Sequence, residues 1–175
     1  MARVPLISEG DKPELSALIE RIKNERGGRL LNLYRTLLNS PPVAEGWLSL
    51  FTAIRQKGTL DDASRELAIL RVAILNGAQY EYNAHVPHAL KAGMTQAQLD
   101  AMPAWQTAEC YSARERAVLA CTDAMTKSIE VPDGIFAALK KHFGDRELVE
   151  LIATIGGYNL VSRVLVALQV DHEKH

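Results

Sequence analysis

Two cysteines in 175 residues, Cys110 and Cys121, are too few for a disulfide framework, and they lack metal-site spacing. Aromatic residues are also sparse, at 6%, and no basic run interleaves with them, so nucleic acid is not an expected partner. Neither sign of charge dominates: 20 Lys and Arg stand against 21 Asp and Glu, for a formal charge of −1. Met1, Arg3 and Pro5 are followed by no apolar core of the kind a signal peptide needs. The most apolar stretch, Leu148 to Val170, is interrupted by Glu150, Arg163 and the pair Gly156-Gly157, and reads as a buried core helix rather than a membrane span. These absences lead to the expectation of a cytoplasmic protein without membrane association.

What is present is an ordinary globular balance, 47% apolar and 23% charged, in a chain long enough for one well-buried domain. Helical periodicity runs almost throughout, and no segment alternates like a strand. Leu15, Leu18, Ile19 and Ile22 mark one helical face, ended by Gly27-Gly28. Further helices are predicted from about Leu30 to Leu38 and from Val43 to Arg55, with Pro41-Pro42 between them. Thr59 and Asp62 offer capping oxygens for a helix through about Leu75, and Asn76-Gly77 is a strong stop. A helix from Gln79 to Gly93 follows. Thr95-x-x-Gln98 and Ser112-x-x-Glu115 are capping boxes that open two more. Pro132 suits the first position of a helix ending at Gly144, and Asp145 can cap a long final one. The expectation is an all-α bundle of eight or nine helices, with an N-terminal arm over residues 1–42 and a main domain over 43–175.

The densest polar cluster is Tyr80-Glu81-Tyr82-Asn83-Ala84-His85-Val86-Pro87-His88. Glu81 and His85 are four apart and share one helical face, where a carboxylate can orient an imidazole and stabilise its protonated form. Glu81 lies in the first turn, where the helix dipole favours an anion, whereas burial would raise its pKa; sequence does not decide between them. The same spacing also occurs in simple surface pairs. Glu81, His85 and His88 could alternatively approach one metal ion, although the spacing matches no common zinc signature. Glu66 is a third acid. On a straight helix it would stand about 22 Å from Glu81. The two can share a site only if the chain reverses at Asn76-Gly77.

The run Arg65-Glu66-Leu67-Ala68-Ile69-Leu70-Arg71-Val72-Ala73, then Asn76-Gly77-Ala78-Gln79-Tyr80-Glu81, Ala84-His85 and Ala92-Gly93-Met94-Thr95, resembles the carboxymuconolactone decarboxylase / alkyl hydroperoxidase D-like family over about residues 45 to 125. Glu115-Arg116-Ala117-Val118-Leu119 and Gly157-Tyr158-Asn159 resemble its longer subgroup. The resemblance implies homo-oligomers, commonly trimers or hexamers, with a pocket near the subunit interface. It also implies one of two chemistries. In the hydroperoxidase branch a Cys-x-x-Cys pair opens the helix before the histidine, and a glutamate and that histidine relay protons. Here those cysteines fall on Ala78 and Glu81, while the glutamate and histidine fall on Glu66 and His85. A carboxylate cannot replace a thiolate in peroxide reduction.

In the decarboxylase branch a Glu-x3-His pair takes the place of Glu81 and His85, and CO2 leaves a carboxylated lactone. The resemblance therefore implies a cofactor-free, metal-free lyase acting on a small anionic metabolite. Glu66, Glu81 and His85 are its catalytic candidates, Tyr80 lines the pocket, and Arg71 or Arg163 is a candidate cation for the substrate. Two other readings compete: an antioxidant peroxiredoxin-type activity through Cys110 or Cys121, and an oligomeric ligand-binding protein without turnover.

Overall fold

The computed structural model describes residues 2–173, and every regular element among them is helical. Nine α-helices follow in order: α1 (Ser16–Glu25), α2 (Asn32–Leu37), α3 (Pro41–Thr52), α4 (Asp62–Leu75), α5 (Gln79–Lys91), α6 (Gln96–Ala101), α7 (Ala113–Ser128), α8 (Asp133–Lys140) and α9 (Asp145–Leu168). Short 3-10 turns precede α1 and follow α6, and a π-turn follows α3. The all-α expectation is met.

Several starts and stops are where the chain's chemistry puts them. Both capping boxes form, Thr95 with Gln98 and Ser112 with Glu115. Gln98 then donates to Glu115 at 2.7 Å, tying the starts of α6 and α7 together. Other caps differ from expectation by a residue. Asp61, not Asp62, caps α4 by accepting from the Ser64 amide, and Thr59 instead bonds Glu150. Pro132 precedes α8 rather than opening it, and α3 begins at Pro41, where a missing amide hydrogen is no loss at a helix start.

The chain forms two compact units, one of residues up to Lys57 together with those from Val164 on, the other Gly58–Arg163. In the first, Ile22, Leu38 and Leu48 are fully buried, and Arg26 bonds Tyr34 at 2.9 Å and Thr52 at 3.0 Å.

The second unit is organised around α4. Eight consecutive residues, Glu66 to Ala73, are buried, so this helix has core on every side rather than on one stripe. It packs against α5 and α7. Leu67, Ile69, Leu70 and Val72 supply the apolar filling, with Leu119, Leu139, Leu151 and Ile155 from other helices. Two charged residues are carried inward with them, Glu66 and Arg71. Arg71 is neutralised by Asp123 on α7 through two parallel bonds of 2.6 and 2.9 Å, and it also donates to the Met102 carbonyl at 3.0 Å. Burial pushes the Asp123 carboxyl up, but the Arg71 and Lys127 bonds together outweigh burial and hold it below its ordinary range.

By length and composition α9 is the one helix among the described residues apolar enough to cross a membrane. Leu151, Ile155, Tyr158 and Val161 on it are buried, while Val149 and Leu160 remain exposed.

Two predictions follow from this packing. Arg71→Met leaves Asp123 a poorly compensated charge in the core and should cost about 3–5 kcal/mol in urea unfolding, most of which Arg71→Met/Asp123→Leu should recover. Asp123's lowered pKa also fixes a sign. Its contribution is present above the unfolded value of about 3.8 and disappears as pH falls through the folded pKa, so this acid-side loss should be absent from the double variant.

Candidate functional site

The site depends on how α4 ends. Gly77 adopts a φ of +63°, a left-handed conformation that glycine reaches without strain. The Gly77 amide bonds the Ile74 carbonyl at 3.2 Å, and the Ala78 amide bonds Ala73 at 2.9 Å. This paired closure satisfies the last carbonyls of the helix and turns the chain back on itself. Asn76 holds the turn from outside, donating to Asn159 on α9 at 3.0 Å. Asn159 in turn donates to Thr126 on α7 at 3.0 Å, and Arg163 donates to the Asn159 side chain at 2.8 Å. The reversal is therefore tied to two further helices.

With α5 folded back beside α4, the three predicted ionisable residues meet. His85 Nδ1 lies 2.6 Å from Glu66 Oε2, and its Nε2 lies 3.0 Å from Glu81 Oε1. All three side chains are at least nine-tenths buried. The edge-on ring of Tyr158 lies 5.1 Å from the imidazole, centroid to centroid, and the His88 ring 5.6 Å away.

This geometry constrains the protons. A neutral imidazole has one N–H and one lone pair, and a lone pair cannot face a carboxylate oxygen at 3 Å without a proton between them. Two protons must therefore be shared among the three groups, giving a net charge of −1 whether His85 is an imidazolium or one acid is protonated. Burial lowers the His85 pKa, but hydrogen bonds and charge from Glu66 and Glu81 outweigh it, so the net direction is upward. Magnitudes agree. Each close carboxylate favours the cation by about 4 kcal/mol at an effective dielectric of 20. Complete burial opposes it by about 3–5 pKa units, or roughly 4–7 kcal/mol. The pair of acids outweighs burial, and the net effect favours the protonated ring.

Both ring nitrogens of His85 are directed at carboxylates, so in this arrangement neither faces a metal position. Among the described residues no group of three potential ligands is arranged around a common point. Of the other predicted site residues, Tyr80 is buried in the first turn of α5. Arg71 is committed to Asp123, and Arg163 lies exposed on α9, bonded to Asn159. Both are engaged within the protein. Cys121 is buried, with its thiol pushed up to about 11 by burial, while Cys110 is exposed.

Sequence reasoning left Tyr158 and Asn159 without roles. They stood out only as a Gly-Tyr-Asn motif, and their proximity to His85 and Asn76 is a tertiary fact.

The raised His85 pKa has a definite linkage. Its stabilisation is full below the unfolded value of about 6.5 and is lost as pH rises through the folded pKa. Wild-type unfolding free energy should therefore fall on the alkaline side of neutrality, and His85→Gln should show a flatter profile there. Identical alkaline slopes would remove the case for a charged His85.

Comparisons with known proteins agree with the fold. The uncharacterised protein YdfG of Bacillus subtilis is 27% identical over 115 residues, covering 65% of this chain and 78% of YdfG. A crystal structure of a protein of unknown function from Agrobacterium tumefaciens, described as a putative antioxidant defence protein AhpD, superposes with a TM-score of 0.73. It is 28% identical, covering 79% of this chain and 96% of that one. The debrominase Bmp8, solved with 2,3,4-tribromopyrrole, superposes with a TM-score of 0.79 at 20% identity, over 99% of this chain and 94% of its own. Residues 41–124, a span that includes Glu66, the reversal, Glu81 and His85, match the model of the carboxymuconolactone decarboxylase family, and the chain has an AhpD-like fold.

Proposed function

We propose that this protein is a cofactor-free enzyme that delivers a proton to a carbanion-like carbon of a small carboxylated metabolite, as in decarboxylation of a carboxylated lactone. One observation carries the reading: a buried His85 with both ring nitrogens against carboxylates. An imidazolium so held is a loaded acid. When the C–CO2 bond of the substrate breaks, its electron pair remains on the carbon as an enolate, CO2 departs, and the proton leaving His85 completes the product. Glu81, hydrogen-bonded to Nε2, is the acid beside the transferred proton. Glu66 at Nδ1 holds the ring and stabilises its charge. Tyr80 lines the same turn of α5.

The absence of thiols from the relay supports proton transfer over peroxide reduction. Ala78 and Glu81 occupy the two cysteine positions of the hydroperoxidase branch. Burial suppresses the thiolate of Cys121. The reading includes a cytoplasmic homo-oligomer. The exposed Val149 and Leu160, eleven residues apart on α9, support an assembly surface there.

A screen of carboxylated lactones in D2O tests the reading, with CO2 release and deuterium at the product carbon as readouts. His85→Gln should reduce turnover by about 100-fold or more while leaving the fold and oligomer intact. Glu66→Gln should lower kcat and shift its pH profile. Turnover unchanged by His85→Gln would refute the assignment, whereas peroxide consumption lost in Cys110→Ser/Cys121→Ser would establish the antioxidant alternative.

A further inference from the structure

We propose that Arg65, rather than Arg71 or Arg163, is the cation that receives the substrate's carboxylate. The inference rests on the carboxylated-substrate reading above and assigns a residue that the sequence patterns passed over. Among the described residues, Arg65 Nε is the one buried side-chain nitrogen or oxygen without a hydrogen-bond partner. A buried donor left in that state costs about 1–3 kcal/mol, more when charged, and such an atom calls for an acceptor that arrives from outside. Glu66 Oε1 stands 3.5 Å from it, near enough for charge attraction but without forming a hydrogen bond.

The side chain links solvent to the relay. Its Nη2 donates to Asp62 at 2.9 Å, and Asp62 is 74% exposed. Its Nε lies beside Glu66, whose side chain is only 3% exposed and whose other oxygen holds His85. The guanidinium thus runs from the protein surface to the first member of the proton relay. Arg71 and Arg163 make no such link: the first is held by Asp123 and two backbone carbonyls, and the second, exposed on α9, bonds Asn159 through Nη1.

Charge accounting points the same way. Glu66, His85 and Glu81 together carry −1, so an anionic substrate approaching them alone would meet repulsion. Arg65 sets a positive charge beside Glu66, with its partner Asp62 on the solvent side, and offers an unused N–H on a planar fork suited to a carboxylate. The proposed contact also specifies a substrate class. The carboxylate that Arg65 binds must lie within reach of the carbon that His85 protonates, which favours a compact ring over a long chain.

The test uses two small ligands: paraconate, a γ-lactone bearing one carboxylate, and γ-butyrolactone, the same ring without it. Binding is read from shifts of the His85 ring signals in 15N NMR of the full chain. Ligand-free His85 signals serve as a check that Arg65→Gln preserves the site. We expect paraconate to perturb His85 in the wild type, with affinity falling about tenfold or more in Arg65→Gln and less in Arg65→Lys. Any response to γ-butyrolactone should be the same in wild type and variant. Equal paraconate binding by wild type and Arg65→Gln would overturn the role of Arg65 while leaving the carboxylated-substrate reading intact. Equal weakening of both lactones would also overturn it, because the loss would then be one of site shape rather than of charge recognition. No perturbation of wild-type His85 by paraconate would count against the carboxylated-substrate reading itself, and the inference would fall with it.

Discussion

A carboxylate carried into the interior by a helix buried on every side cannot stand alone, and the contact between Glu66 and His85 follows from that constraint. Helix α4 has no solvent face along Glu66 to Ala73, so its two charges must find partners within the fold. Arg71 finds an ion of opposite sign in Asp123, and the pair is closed: two parallel bonds leave little for a ligand. Glu66 instead meets an imidazole that a second acid also holds. The first pairing stabilises. The second leaves protons shared among three ionisable groups in hydrogen-bond contact. Two burials on one helix thus have different consequences, set by whether the partner is a second fixed charge or an imidazole that a further acid also holds.

The reversal after α4 makes the second pairing possible, and its supports extend well beyond the glycine. Gly77 gives the chain its left-handed residue, the Ala73 and Ile74 carbonyls close the turn, and Asn76 is held by Asn159. Arg163 joins this scaffold through Asn159, so a residue first considered for substrate binding contributes to holding the turn. A helix terminus tied to α7 and α9 can keep Glu81 and His85 aligned against Glu66 within hydrogen-bond tolerances.

Much of this was legible in the sequence. The Asn-Gly stop, the two capping boxes and the four-residue spacing of Glu81 and His85 are local signals, and each appears in the structure where its chemistry put it. The meeting of Glu66 with His85 was conditional on the turn. What sequence could not supply were facts created by packing: that Arg71 is spoken for by Asp123, that Tyr158 sets its ring edge beside His85, and that Arg65 Nε is left without a partner. An arginine gives the same letter whether committed or free. The AhpD-like fold is likewise silent on reaction, since a debrominase shares it. The distinction here comes from two positions, Ala78 and Glu81, where a thiol pair would have made different chemistry available.

The central claim is that His85 is stored as an imidazolium between two acids, and 15N-resolved NMR of the His85 ring, titrated upward from about pH 6.5, tests it most directly. The account predicts that both ring nitrogens stay protonated after an ordinary histidine has begun to lose its proton. A single protonated nitrogen, with the other showing the shift of a free lone pair, would contradict it.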